Sequence, residues 1–195
     1  MTSRICGLMT GQHSTDGTAA PKRPSIVSAI LAISLLAMIA GCQSPPPPPP
    51  AAAPKVADRV VVEKSRRLLE LLQDGRVFAT FPVALGREPF GPKRQEGDGR
   101  TPEGVYRIDS RSMQSRYTRA LHISYPDERD RERAEAMHVD PGGAIFVHGL
   151  PNDYGPFDPP QWYRDWTEGC ISVGNAAIVK IWDAVPDGTA IEIRP

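Results

Sequence analysis

With 195 residues, 23 basic and 23 acidic side chains, the chain has room for one domain plus attachments and carries no formal net charge. That balance excludes the long-range field expected of a nucleic-acid binder or of a protein held by charge on an anionic bilayer. Three cysteines, Cys6, Cys42 and Cys170, matter more by position than by number. In chain order, Met1 to Ala20 are polar and patternless, and then Lys22 and Arg23 form a basic start. The apolar run from Ile26 to Ile39 is shorter than a comfortable bilayer span and ends in the small residues Ala40 and Gly41. Residues 1–41 therefore read as an export signal.

The ending Met38-Ile39-Ala40-Gly41-Cys42 resembles a bacterial lipobox, in which cleavage leaves the cysteine N-terminal and lipid-modified. The competing reading is an uncleaved anchor with an incidental cysteine. Several acyl chains on Cys42 hold a protein to a membrane where one does not. Pro45 to Pro50 then favour polyproline II, a stiff spacer rising about 3.1 Å per residue. Residues 42–57 are thus expected to be a lipidated linker. The protein is expected in the periplasm, on a bacterial membrane, with the outer membrane as the expected one. Once Cys6 leaves with the signal and Cys42 is capped, Cys170 is the one free thiol in an oxidising compartment, and so a candidate reactive group. A buried, inert cysteine is the alternative.

The domain is expected over residues 58–195. Arg59 to Glu63 reads as a strand; Arg67 to Leu72 fits helix or strand, and Asp74-Gly75 decides for a hairpin returning through Arg76 to Leu85. Pro82 puts that strand near an edge or bulge. A loop from Arg87 to Gly99 leads to a turn at Thr101 to Gly104, then to strands at Val105–Ile108 and Ala120–Tyr125. Asp127 to Met137 reads as a short helix with an aspartate cap, its charges a solvated face. Ala144 to Val147 suggests a strand buried on both faces that delivers His148 at its end. Asn175 is the expected cap of a helix from Ala176 to about Val185, stopped by Pro186-Asp187-Gly188 before a last strand from Thr189 to Arg194. The whole is mostly β, with one or two short helices around a single core.

Phosphate loops, paired carboxylates and CxxC are missing from the sequence, and His122, His138 and His148 lack the short spacings of zinc ligands, so neither a metal nor a cofactor is expected. What remains is Cys170 after Gly169, with His148 upstream, across a loop rich in Pro, Gly and Trp. An imidazole can take the thiol proton, or pair with the thiolate as imidazolium, and a glycine lets main-chain N–H groups reach an oxyanion. That is the apparatus of thiol acyl transfer.

From about Val60 to Pro195 the chain resembles the YkuD-type L,D-transpeptidase family. The resemblance rests on Val83-Ala84-Leu85-Gly86, Gly91-Pro92-Lys93, Gly97-Asp98-Gly99-Arg100-Thr101-Pro102-Glu103-Gly104, Val147-His148-Gly149 and Thr167-Glu168-Gly169-Cys170-Ile171. It implies a β-sandwich-like catalytic domain acting on peptidoglycan stem peptides, with Cys170 as nucleophile and His148 as base. Main-chain N–H groups around Gly169 and Cys170 would be the oxyanion donors, and Thr167 stands where the family commonly has serine. Ser172 stands where many members carry an arginine, which leaves the stem-peptide carboxylate without its usual partner; Arg164 and Arg100 are the substitutes considered. The candidate substrate-contacting residues are Gly149, Arg164, Trp166, Ser172 and His122. For Trp162, Tyr163 and Trp166 the competing role is loop packing, and for His122 a structural one. The expected reaction is 3→3 cross-linking through a thioester. The alternatives are hydrolysis of that thioester (an L,D-carboxypeptidase, or an amidase releasing a wall-attached protein) and a non-catalytic wall-binding lipoprotein.

Overall fold

The computed structural model describes residues 53–154 and 164–195. The export signal, Cys42 and the proline tract lie outside these residues, as do Trp162 and Tyr163. Eight strands form one sheet in the order β3-β2-β1-β8-β4-β5-β6-β7. They are β1 (Arg59–Glu63), β2 (Leu68–Gln73), β3 (Arg76–Pro82), β4 (Gly104–Ser112), β5 (Ala120–Ile123), β6 (Phe146–His148), β7 (Ile171–Ser172) and β8 (Ala190–Arg194). Two α-helices, α1 (Glu128–Ala136) and α2 (Asn175–Ala184), complete the regular structure. The expected mostly-β class is what the protein adopts.

The hairpin falls where Asp74-Gly75 puts it, and β3, which ends on Pro82, occupies one end of the strand order. Proline is tolerated there because an edge strand has spare main-chain positions. β4 runs longer than expected, since its first half pairs with β8 and its second half with β5. A register shift between Ile108 and Ser110 lies at the start of the β5-paired half, the kind of bulge that lets a sheet bend. The ends of the strand order then meet. Ala84 exchanges main-chain hydrogen bonds with Ser172 in β7 (2.8 Å each way), and Gly86 bridges to Thr167. The sheet curls over a core that includes Val62, Leu69, Ile108, Leu121, Val147 and Ile171, with Ile178 and Ile181 of α2 packed in. Each such side chain contributes about 1.5–3 kcal/mol by leaving water.

Two expectations about the helices are corrected. α1 is capped by Asp127 as expected, in a reciprocal capping box with Asp130. Its charges are more than a solvated face, because Asp130 is only 4% exposed. That carboxylate accepts the Tyr106 hydroxyl at 3.0 Å and pairs with Arg133, docking the helix onto β4. At α2 the cap is Gly174, and Asn175 is the first helical residue. The Asn175 Oδ1 accepts instead from Leu150 N (2.9 Å) and Thr118 Oγ1 (2.7 Å). A buried donor on a distant loop outcompetes the local cap for that oxygen.

Candidate active site

His148 is the last residue of β6 and Cys170 the residue before β7, and these strands are parallel neighbours pairing His148 with Ser172. Side chains two residues apart on an extended chain share a face. Cys170, immediately before β7, is thereby led toward the side of Ser172 and of its partner His148. The thiol is half-buried, and its hydrogen bond goes to the Ala144 carbonyl at 3.6 Å, not to the imidazole. The expected nucleophile and base are thus carried at the ends of adjacent strands. Burial pushes the thiol pKa up, while a main-chain hydrogen bond from Phe146 and the charge of Lys93 pull the other way.

The imidazole is 1% exposed. Its Nδ1 lies 2.6 Å from the Gly149 carbonyl, which can only accept, so Nδ1 carries the proton of the neutral ring. Nε2 then holds the lone pair, and it is buried with no hydrogen-bond partner among the described residues. Tyr117 stacks on the ring at 3.9 Å and Trp166 meets it edge-on at 5.8 Å between centroids. Burial depresses the imidazole pKa to about 4, only partly opposed by the Gly149 carbonyl. Both groups are therefore driven toward their neutral forms. Of the two arrangements considered from sequence, a neutral thiol facing a neutral base fits this environment, and a resting thiolate–imidazolium pair does not.

The turn before Cys170 is built by Thr167, whose hydroxyl donates to the Cys170 carbonyl (2.7 Å) and accepts from Gly169 N (3.1 Å). Gly169 sits at φ +132, and a Cβ there would lie 2.6 Å from the Arg100 carbonyl, so no side chain fits. Its N–H is committed to Thr167, which removes it as the expected oxyanion donor. Thr167 is itself buried, and it shapes the turn without facing a ligand.

The expected substrate-contacting residues divide. Ser172 is corrected: it is 0% exposed, held between β6 and the Ala84 bridge, and so out of reach of a ligand in this structure. Gly149 is corrected too. A Cβ there would meet Asn175 Oδ1 and Ile178 Cγ2, each at 2.9 Å, so this glycine permits close packing of β6 on α2. Trp166 packs edge-on against His148, the packing role weighed for it, and keeps 37% of its surface exposed. His122 holds Asp109 through Nδ1 at 2.6 Å and packs edge-on against Phe146 at 4.9 Å, with no hydrogen bond to Cys170 or His148. Arg164 is exposed and Arg100 half-exposed.

Sequence reasoning passed over several supports. Lys64 is buried and donates to the Gly91 carbonyl (2.6 Å), the Thr101 carbonyl (3.1 Å) and Glu103 Oε1 (2.7 Å). It ties the Arg87–Gly104 loop, whose Arg100 carbonyl abuts Gly169, to the end of β1. Asp165 pairs with Arg67 at 2.7 Å and accepts from Leu85 N at 2.9 Å, hanging the nucleophile segment on β2 and on the chain after β3. Tyr117 completes the wall over His148. None had a local signal, since each partner lies far off in sequence. Among the described residues no group of three His, Cys, Asp or Glu side chains is gathered to hold a metal ion.

Comparison with known proteins agrees with this architecture. The family described as YkuD, the L,D-transpeptidase catalytic domain, matches residues 57–193. "Putative L,D-transpeptidase YafK" of Escherichia coli K12 is 34% identical over 96 residues, covering 46% of this chain and 37% of that protein. The chain thus aligns with little more than a third of that relative. Among solved structures, the helical cell shape determining protein Pgp2 of Campylobacter jejuni superposes with a TM-score of 0.54 at 24% identity, over 69% of this chain and 46% of that one. That likeness is one of fold.

Proposed function

The chain belongs to the YkuD L,D-transpeptidase catalytic-domain family, and on that premise we propose that it cross-links peptidoglycan stem peptides through a thioester on Cys170. The observation that carries the reading is a buried imidazole whose unprotonated nitrogen has no hydrogen-bond partner among the described residues, on the strand next to the one that follows a half-buried thiol. In the proposed reaction the sulfur attacks the carbonyl carbon of the third stem residue, a diamino acid, while His148 Nε2 takes the thiol proton. The carbonyl oxygen becomes an oxyanion. With the Gly169 N–H committed to Thr167, the Cys170 N–H is the donor assigned to it. Collapse breaks the bond to the terminal D-alanine, whose amine leaves with the proton from His148. An amine of a neighbouring stem peptide then attacks the thioester, His148 again takes and returns a proton, and the thiol is restored as the 3→3 link forms.

The place of work we propose is the periplasmic side of a bacterial membrane, with Cys42 lipidated and the proline tract as spacer, on the sequence grounds given above. One experiment tests both points: intact mass of the membrane-extracted protein before and after a carbapenem. A lipid increment together with one drug adduct, the latter lost in Cys170→Ala, is expected. An adduct that survives Cys170→Ala would sink the thioester. In muropeptide digests, dimers mark transfer, and shortened monomers would replace cross-linking by hydrolysis.

A further inference from the structure

Against the Tyr117 and Trp166 rings that flank His148 lies an open cleft of about 510 Å³, lined by Arg116, Tyr117, Pro151, Asn152, Asp153 and Trp166. Its two walls are separate loops fastened together. Asn152 N donates to the Arg116 carbonyl (3.2 Å), Asn152 Nδ2 donates to the Ser115 carbonyl (3.0 Å), and Tyr117 forms an isolated bridge with Pro151. One cation and one anion thus stand at fixed main-chain positions on the same opening. Both side chains are exposed, and among the described residues neither makes an ion pair or a side-chain hydrogen bond, with each other or with any neighbour. Most arginines nearby in sequence or space are occupied: Arg111 holds Asp187, Arg119 reaches Asp183, and Arg67 holds Asp165.

The geometry points to a receptor for an α-amino-acid zwitterion, in which Arg116 takes the carboxylate, Asp153 the ammonium, and the Tyr117 and Trp166 rings cover the carbon chain. Guanidinium is the side chain suited to a two-point grip on a carboxylate, and one Arg and one Asp lining the same cleft suit a ligand carrying both charges. Resting on the reading of Cys170 as a stem-peptide nucleophile, the site accounts for the carboxylate that Ser172 leaves unmatched. The third stem residue is attacked at one end, while its other end carries an amino and a carboxyl group on one carbon. A free amino acid presents the same chemistry.

The test titrates the full chain carrying Cys170→Ala, which cannot turn substrate over, with stem tetrapeptides whose third residue is diaminopimelate or lysine, and with free D-alanine. Lysine keeps the ammonium and lacks the distal carboxylate. The diaminopimelate peptide is expected to bind about ten- to a hundredfold tighter, the range for a hydrogen bond to a charged group. Arg116→Ala removes that preference, Arg116→Lys keeps part of it, and Arg76→Ala at the hairpin leaves it whole; unchanged melting curves show that the variants fold. Asp153→Asn weakens the diaminopimelate peptide while an N-acetylated version is unaffected. D-alanine binding that depends on Arg116, without any preference between the peptides, assigns the site to free amino acids. Equal affinity for the two peptides with no D-alanine binding, or a preference that survives Arg116→Ala, overturns the proposal. The Cys170 reading fails separately: an unmodified mass after carbapenem treatment, beside an intact peptide preference, removes the nucleophile and keeps the cleft.

Discussion

Lys64 and His148 are equally hidden, at 2% and 1% exposure, yet the protein treats them in opposite ways. Around Lys64 three oxygens converge on one ammonium. Around His148 one nitrogen is held and the other is left with a lone pair and no hydrogen-bond partner among the described residues. A buried polar group normally finds its partners because leaving it bare costs about 1–3 kcal/mol. The loop of Arg87–Gly104 obeys that rule and is rigid support. The end of β6 breaks it, and an unspent basic site is what the proposed acyl transfer requires.

The largest expected effect separates the two by what they do. His148→Gln keeps a polar side chain of similar reach and is expected to slow acylation of Cys170 by about 10²–10⁴-fold, with little change in stability; stopped-flow acylation and a denaturant melt read the two sides. Lys64→Ala should reverse that pattern. It strands Glu103 and two carbonyls, so a loss of about 3 kcal/mol is expected in urea unfolding, with the thiol still acylated at sub-denaturing temperature. Next comes pH. With the imidazole near 4 folded against 6.5 unfolded, the unfolded chain binds the extra proton between those values. The contribution is therefore whole above 6.5 and lost as pH falls toward 4, about 3 kcal/mol in all. His148→Gln should flatten that part of the stability profile, and a parallel profile for both proteins would show the ring is not held neutral. The acid limb of kcat/KM for the wild type is likewise expected near 4, not near 6.5. The smallest effect is Thr167→Val, which removes both hydrogen bonds of the nucleophile turn for about 1–2 kcal/mol and slows acylation, while Thr167→Ser restores both.

What sequence made legible was local. The period-two alternation and Asp74-Gly75 placed β1 to β3, the Asp127 cap placed α1, and the Gly169-Cys170 and His148 pieces pointed to the segments that meet at the candidate site. What escaped was decided across the fold. Ser172 reads as an accessible polar residue until Ala84 is seen to pair with it, and Asn175 reads as a cap until Leu150 N claims its oxygen. Arg67 and Asp165 stand 98 residues apart, and neither carries a local mark of the other. Gly169 was singled out for an oxyanion role that its own N–H does not fill, because Thr167 had already taken it.

The seam where Ala84 meets Ser172 and Gly86 meets Thr167 has a practical consequence for anyone grafting or trimming this domain. Cys170 is suspended from a rail laid down some eighty residues earlier, so the two segments must be inherited together. A chimera that exchanges the cysteine-bearing piece between homologues while keeping the host's Val83-to-Gly86 stretch is expected to express and fold with the sulfur out of line. Moving both stretches as one cassette should carry the chemistry across.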